Sequence, residues 1–452
     1  MDADAQPGAG AALPAPAAPP GPLSGRAVFC LVFLPFALGH YLSCLMRTVN
    51  AMLAPQLVAA LALSPGQLGL LTSAFFFAFA LAQLPVGIAL DHFGPRRVQL
   101  LLLMVAAVGA LAFAGGRDFA QLMCARAIIG LGLGGCFMSA VKAISTWISP
   151  ARLPSVQGYL IAVGGLGAAS ATLPVRLALH YVDWRGLFVA LAVAAAGTGL
   201  LIYLLAPAGA PVSRAAAPSR RPALDLRAVL AVYREPAFRE TASLVLIPHT
   251  VFFGIQGLWI GRWLTDVAHF SEAAVAYLLY LGMAAVIFGA IFVGMVTEWT
   301  GRRGIHPLTV AACGIAVFIA VQLGFVLNYA PSYQMLSVLF TLVGTITGIE
   351  YAIIAQSMPS ALTGRAATCL NLLIFLGAFG VQAGFGQIVD CWRPNLMHQY
   401  PPQAYRAAFG ALVALQLPGL VLFLLRRRAQ AALSGKMAPI PADRITSTNN
   451  KR

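Results

Sequence analysis

Apolar stretches of about twenty residues follow one another along most of this chain, and that succession leaves few folds open. Each stretch is long enough to cross a hydrocarbon core of ~30 Å as a helix. In lipid every backbone N–H and C=O must be satisfied internally, which leaves helices or closed barrels. The stretches are too long for barrel strands and do not alternate. An all-α membrane protein is therefore expected. Composition agrees: of 452 residues, 60% are hydrophobic and 10% charged, against roughly 25% charged in a soluble domain.

Twelve transmembrane helices are expected. The first apolar stretch runs from about Ala27 to Leu63, long enough to bend near Pro55. Further spans follow at about 67–90, 98–114, 119–144, 156–179 and 186–206. Residues 207–238 then turn rich in Pro, Ser and Arg, as a linker does. Six more spans cover about 240–264, 274–297, 307–328, 333–357, 367–389 and 404–425, the last stopped by Arg426, Arg427 and Arg428. The chain divides into six-helix bundles at 26–206 and 239–428. Residues 1–25 and 429–452 read as cytoplasmic tails, the first disordered and unlike a signal peptide.

The formal charge is +15. Of the 29 Lys and Arg, 20 fall on one side of the spans and 6 on the other, with Arg47, Arg126 and Lys142 inside spans. That bias places both termini in the cytoplasm, and the membrane is expected to be the plasma membrane, the bacterial inner membrane. It accounts for the charge without a nucleic-acid partner. The seven cysteines are not spaced as a metal site or a disulfide framework.

An internal repeat sharpens the reading. The loop after the second span reads GIALDHFGPRR and the loop after the eighth reads GMVTEWTGRR. Gly87, Asp91 and Gly94 have the spacing of Gly294, Glu298 and Gly301; Arg96 and Arg97 match Arg302 and Arg303. Repeated halves are the pattern of secondary transporters. A small residue lets helices approach, and a carboxylate at a helix end can hold backbone N–H groups or arginines. The two loops thus read as a conformational latch.

These loops resemble the signature of the major facilitator superfamily, and the likeness covers nearly the whole chain. ARAIIGLGLGG at 125–135 resembles that family's fourth-helix motif, and DWRGLFV at 183–189 its start of the sixth helix. The resemblance implies a central cavity lined by helices one, four, seven and ten. MRTVNAMLAP at 46–55 is similar to the first helix of the anion:cation symporters, although Met46 stands where those relatives carry an acid, and Leu133 replaces a second one.

Ionisable residues inside a membrane are costly and usually functional. Arg47 lies deep in the first stretch, where its guanidinium can clamp a carboxylate through two parallel hydrogen bonds. Its alternative is a structural pair with a neighbouring helix. Arg126, in the fourth span, either touches substrate or bonds carbonyls of the first helix. Glu350 is the one carboxylate read well inside an apolar span, a candidate for proton coupling or a permanent partner for an arginine. His249 and Gln256 lie two turns apart on one face of the seventh span; with Tyr41 they are candidate substrate ligands. His40, Asn50, Trp259, Tyr351 and Asn371 are weaker candidates, and Lys142 is expected to snorkel.

No ATP motif and no nucleophile constellation appears, so neither an enzyme nor a cofactor is expected. The leading function is transport of a small organic anion, a carboxylate or sugar acid, by a monomer using alternating access and protons. A proton-driven efflux pump, a nitrate-type porter and a transporter-like sensor are the alternatives. The pump's usual Gly-Pro element in helix five is missing from GGLGAASATLP, and the porter's arginines in helices two and eight have no counterpart.

Overall fold

The computed structural model describes residues 24–148, 153–207, 226–358, 363–395, 397 and 399–436. The tails at 1–23 and 437–452 and most of the linker, 208–225, lie outside the described residues. Among the described residues every regular element is helical. The first half holds α1 (Gly25–Thr48), α2 (Asn50–Leu61), α3 (Pro65–Gly115), α4 (Phe119–Ser145), α5 (Val156–Ala178) and α6 (Trp184–Leu205). A linker helix α7 (Leu226–Arg234) precedes α8 (Pro236–Gln256), α9 (Trp259–Asp266), α10 (Glu272–Gly301), α11 (Pro307–Leu327), α12 (Ala330–Ile354), α13 (Ala366–Asp390) and α14 (Pro402–Lys436).

Ten of these are long and apolar enough to cross a membrane, and α8 with α9 forms one more span bent by 55°. At 51 residues α3 is roughly 77 Å long, more than twice a hydrocarbon core. It is two spans: Gly94 adopts φ 77°, ψ 160°, a conformation glycine reaches freely, and Pro95 restarts the helix. The helices thus accommodate the twelve expected crossings.

Helix starts at one end of the bundle are capped. Ser64, Asp118, Asp183 and Ser271 each accept from a backbone N–H three residues on. Ser64 and Gln67 bond each other's backbone reciprocally. The glycine ladder of the fourth span seats it closely: a Cβ on Gly130 would meet the Phe75 carbonyl at 2.3 Å, and one on Gly132 the Ala106 nitrogen at 2.4 Å.

Helix α3 packs on α4 and α6, α1 on α5, α8 on α13, α10 on α12, and α11 on α14. The broadest contacts between the halves are α3 with α13 and α5 with α10, and a smaller one sets α2 against α9. The two broad ones pair the second span with the eleventh and the fifth with the eighth. Adding six to each member of one pair, in cyclic order, yields the other, so the joints obey the repeat read from the loops.

Four features depart from the sequence reading. The first span breaks at Val49 rather than at Pro55, and the linker contains α7, whose Tyr233 hydroxyl donates to the Cys369 carbonyl at 3.3 Å. The last helix runs past the three arginines to Lys436. Arg262, counted among the outer charges, is only 8% exposed and binds Asp266 at 3.0 Å within α9. Asp266 is itself 2% exposed and accepts from the Tyr405 hydroxyl at 2.7 Å, so Glu350 is not alone as a carboxylate buried among the spans.

Candidate transport site

The break in the first span explains how Arg47 is presented. Arg126 is fully buried in α4, donating to the Met46 carbonyl at 2.9 Å and the Arg47 carbonyl at 3.5 Å. Those carbonyls would otherwise serve the amides of Asn50 and Ala51. Around Val49 the ladder tightens, with Met52 N–H bonding the Val49 carbonyl at 3.1 Å. Arg126 also lies 5.2 Å from the Phe75 ring centroid. Of its two readings, the geometry displays the bond to backbone carbonyls: this guanidinium braces the turn that carries Arg47.

Arg47 itself is half-buried. Its guanidinium carbon sits 4.9 Å from the Phe253 ring centroid, across the divide between the halves, and Nη2 reaches Cys44 Sγ at 3.9 Å. Among the described residues no carboxylate pairs with it. A cation held against an aromatic ring, without a carboxylate partner among the described residues, is a candidate anion site.

The facing half supplies a different chemistry. His249 in α8 and Glu350 in α12 meet through Nδ1 and Oε1, in a contact of ion-pair type rather than an aligned hydrogen bond. His249 is 3% exposed and Glu350 is fully buried. Oε2 of Glu350 has no hydrogen-bond partner among the described residues. The imidazole stacks on Phe253, with centroids 5.0 Å apart and planes 12° apart, and the Tyr351 ring stands edge-on at 6.1 Å. Tyr351 in turn donates to Asn371 Oδ1. One ring, Phe253, therefore contacts both Arg47 and His249. The sequence reading passed over Phe253. Its signal was position: it lies one turn after His249 on the same helical face.

The other candidates make separate contacts, although His40 adjoins Arg47 through Cys44. Gln256 reaches the Met283 sulfur at 3.0 Å, so it shares a helix face with His249 but serves a different neighbour. His40 lies beside Phe137 and 3.8 Å from Cys44 Sγ. Tyr41 packs its backbone against Gly167. Asn50 donates to Thr72 at 3.3 Å, and Trp259 to the Gln382 carbonyl at 3.0 Å.

Within the latch motif each polar contact among the described residues stays inside its own half. Asp91 pairs with Lys142, whose chain extends to the loop rather than merely snorkelling. Arg96 donates to the Tyr203 carbonyl at 2.6 Å and stacks on that ring. Glu298 pairs with Arg302 at 2.6 Å, and Arg303 covers Trp299 at 3.7 Å. Arg97 is exposed. A Cβ on Gly87, Gly94, Gly294 or Gly301 would meet nothing within 4 Å. At the opposite end the halves touch. Ser64 donates to Asp390 at 2.7 Å, and a Cβ on Gly386 would lie 2.5 Å from the Pro65 carbonyl.

Comparison with known proteins agrees with this architecture. The probable sulfoacetate transporter SauU of Cupriavidus necator is 28% identical over 174 residues, 38% of this chain and 39% of that one. A probable L-galactonate transporter of Escherichia coli is 27% identical over 271 residues, covering 55% and 57%. A nitrate/nitrite transporter of Nostoc punctiforme matches a shorter stretch, 36% over 96 residues, 21% of this chain and 19% of that one. The chain thus matches well under two thirds of the length of these relatives. A bacterial homologue of the human lysosomal transporter Spinster, solved inward-facing and occupied, superposes with a TM-score of 0.71 at 17% identity, over 88% of this chain and 96% of that one; it shows the fold alone. The sequence profile of the Major Facilitator Superfamily matches residues 36–381, so the chain belongs to that superfamily.

Proposed function

We propose that this protein is a secondary transporter of a small organic anion, a carboxylate or sugar acid, working by alternating access and coupled to protons. The observation that carries this reading is Arg47: a guanidinium within the membrane region, facing the other half, with no carboxylate partner among the described residues. Relatives named for sulfoacetate and L-galactonate support an anionic solute. In this reading Arg47 clamps the substrate carboxylate, Arg126 positions the turn that presents it, and Glu350 belongs to the proton path. Gln256, which reaches Met283, and Tyr41 are assigned peripheral contacts with a longer solute.

The contacts at the Ser64 end, and the absence of matching ones at the Asp91 end among the described residues, support a state closed on one side. With both termini in the cytoplasm, as the charge bias favours, that state is open inward. The loops at Asp91 and Glu298 are then a latch in its released position, free to engage when the opposite side opens. We place the protein in the plasma membrane as a monomer, with bundles at 26–206 and 239–428.

The test is a thermal-shift screen of the purified protein against L-galactonate, glucuronate, sulfoacetate, muconate and nitrate, followed by counterflow exchange in proteoliposomes. Stabilisation and exchange by at least one organic anion is expected. Response to nitrate alone would replace the organic anion by an inorganic one. Stabilisation without exchange would favour the sensor reading over transport.

A further inference from the structure

We infer that His249 and Glu350 form a single protonatable unit that carries the coupled proton, and that one proton and one monoanion therefore cross together without net charge. This deepens, and rests on, the anion-transport reading above. It also removes His249 from the substrate ligands.

Both side chains are almost wholly buried, and they face each other across α8 and α12. One imidazole face is taken up by Phe253 and its Nδ1 by Glu350. That leaves a solute carboxylate only the Nε2 edge of a ring that is 3% exposed. The two acceptors between them hold either no proton, with charge −1, or one proton, with charge 0. Glu350 Oε2, lacking a partner among the described residues, leaves the pair short of a donor that a proton supplies.

Among the described residues, the other charged or titratable groups near this unit are few. Arg47 approaches from the first half on the same Phe253 ring, and Tyr351 neighbours Glu350 on its own helix. Tyr233 and Cys369, on the packed helices α7 and α13, are joined through the Cys369 carbonyl. The fixed positive charge therefore comes from Arg47, with Arg126 behind it spent on backbone carbonyls.

The charge balance then sets the coupling. Binding one monoanion at Arg47 lowers the local charge by one unit, and protonating the pair raises it by one. The empty and the fully loaded carrier have the same charge, while either half-loaded form differs by a unit. A charge difference buried in the membrane is penalised more heavily than one in water. The empty and doubly loaded forms are thus the ones matched for reorientation, which is the requirement of a symporter. Phe253, contacted by both sites, places the anion and the proton one ring apart.

The experiment uses wild-type protein in liposomes with radiolabelled L-galactonate and glucuronate. A pH gradient, acidic outside, is expected to concentrate either solute about tenfold per pH unit. A potential imposed by potassium and valinomycin should leave that ratio unchanged, whereas one net charge per cycle would shift it about 50-fold at 100 mV. His249→Gln and Glu350→Gln should both bring gradient-driven accumulation down to equilibrium, while exchange at equal pH falls less than tenfold. The wild-type voltage measurement stands even if a variant fails to fold. Voltage-dependent accumulation, gradient-driven accumulation surviving in His249→Gln, or a tenfold rise in its KM for exchange would each overturn the inference. Exchange of dianions alone would overturn the stoichiometry and leave anion transport standing; no exchange of any screened anion would sink both.

Discussion

The two halves of this molecule share a packing plan and divide the chemistry. The first half contributes fixed charge: Arg47 turned toward the centre, and Arg126 locked onto carbonyls behind it. The second contributes a titratable pair, His249 with Glu350, buried at the same aromatic ring. The symmetric joints, α3 with α13 and α5 with α10, show that the scaffold still obeys the repeat. The difference teaches that pseudo-symmetry constrains helix contacts, where backbones must fit, and leaves the cavity-facing side chains free to diverge. A guanidinium keeps its charge at any physiological pH, so on the proposed function the anion site would lie in the first half and the proton site in the second.

Arg47→Ala gives the largest expected effect on this division. On the proposed function it removes two charge-assisted hydrogen bonds to the solute, so affinity for the anion found in the thermal-shift screen should fall about 100-fold. Thermal stability should hardly change, because Arg47 is half-buried and its partners are a ring and a thiol. Unchanged affinity in titrations of the purified variant would place the anion elsewhere and erase the contrast between halves.

Arg126→Met should behave in the opposite sense. Two buried carbonyls lose their donor, a cost of about 2–4 kcal/mol if neither finds another. The melting temperature should drop, and KM should rise about tenfold as the turn at Val49 loosens. Arg126→Lys, which keeps a donor, should recover part of both. A loss of affinity as large as in Arg47→Ala, at wild-type stability, would instead make Arg126 a direct ligand.

The joints themselves are unequal. A Cβ at Gly386 would press on the Pro65 backbone at 2.5 Å, whereas one at Gly165 would meet only the flexible Ile287 side chain at 3.1 Å. Gly386→Val should therefore wedge α3 from α13 and slow exchange about fivefold to tenfold, as a clash with backbone does not relax cheaply. Gly165→Ala should cost less than twofold. The check is the exchange rate, with labelling of a cysteine placed near Ser64 as a measure of opening at that end. Equal rates in both variants would show that the α3–α13 joint is no tighter a gate than its counterpart.

Much of this architecture was legible because lipid imposes it. Apolar runs long enough to span, Gly94 before Pro95, and matching loops six spans apart allow few other arrangements. The positions of Arg47 and Glu350 were legible too, since a charge in an apolar run stands out. What the sequence left open was partnership. Arg126 and Arg47 are the same residue type in similar surroundings, and only the approach of α4 to α1 assigns one to backbone carbonyls. Glu350 and His249 are 101 positions apart, and their meeting depends on how α8 packs on α12. Phe253 carries no polar atom, so its place one turn after His249 was the one sign that set it apart from packing. The bend at Val49 escaped because Pro55 was the visible breaker, whereas the carbonyl capture by Arg126 is a tertiary effect.

The smallest expected effect lies in the latch, and it tests how far the halves differ. Asp91 and Glu298 hold equivalent places in the repeat, yet their bonds are unlike. Asp91 reaches Lys142 and so ties the loop of α3 to α4, while Glu298 reaches Arg302 one turn along its own helix. Both pairs are largely exposed, so each is worth under about 1 kcal/mol to stability. Neither Asp91→Asn nor Glu298→Gln should alter the melting temperature measurably. Their effects on exchange should differ, because only the first connects two helices that must move together. Asp91→Asn should change the exchange rate about twofold to fivefold, within that energy, and the change should shrink in high salt as screening weakens the pair in the wild type. Glu298→Gln, losing a contact within one helix, should change it less than twofold. Rates measured at two salt concentrations decide the matter: an equal, salt-insensitive response in both variants would mean that these carboxylates act through a shared contact between the halves, and that the two loops are more alike in use than their bonds here indicate.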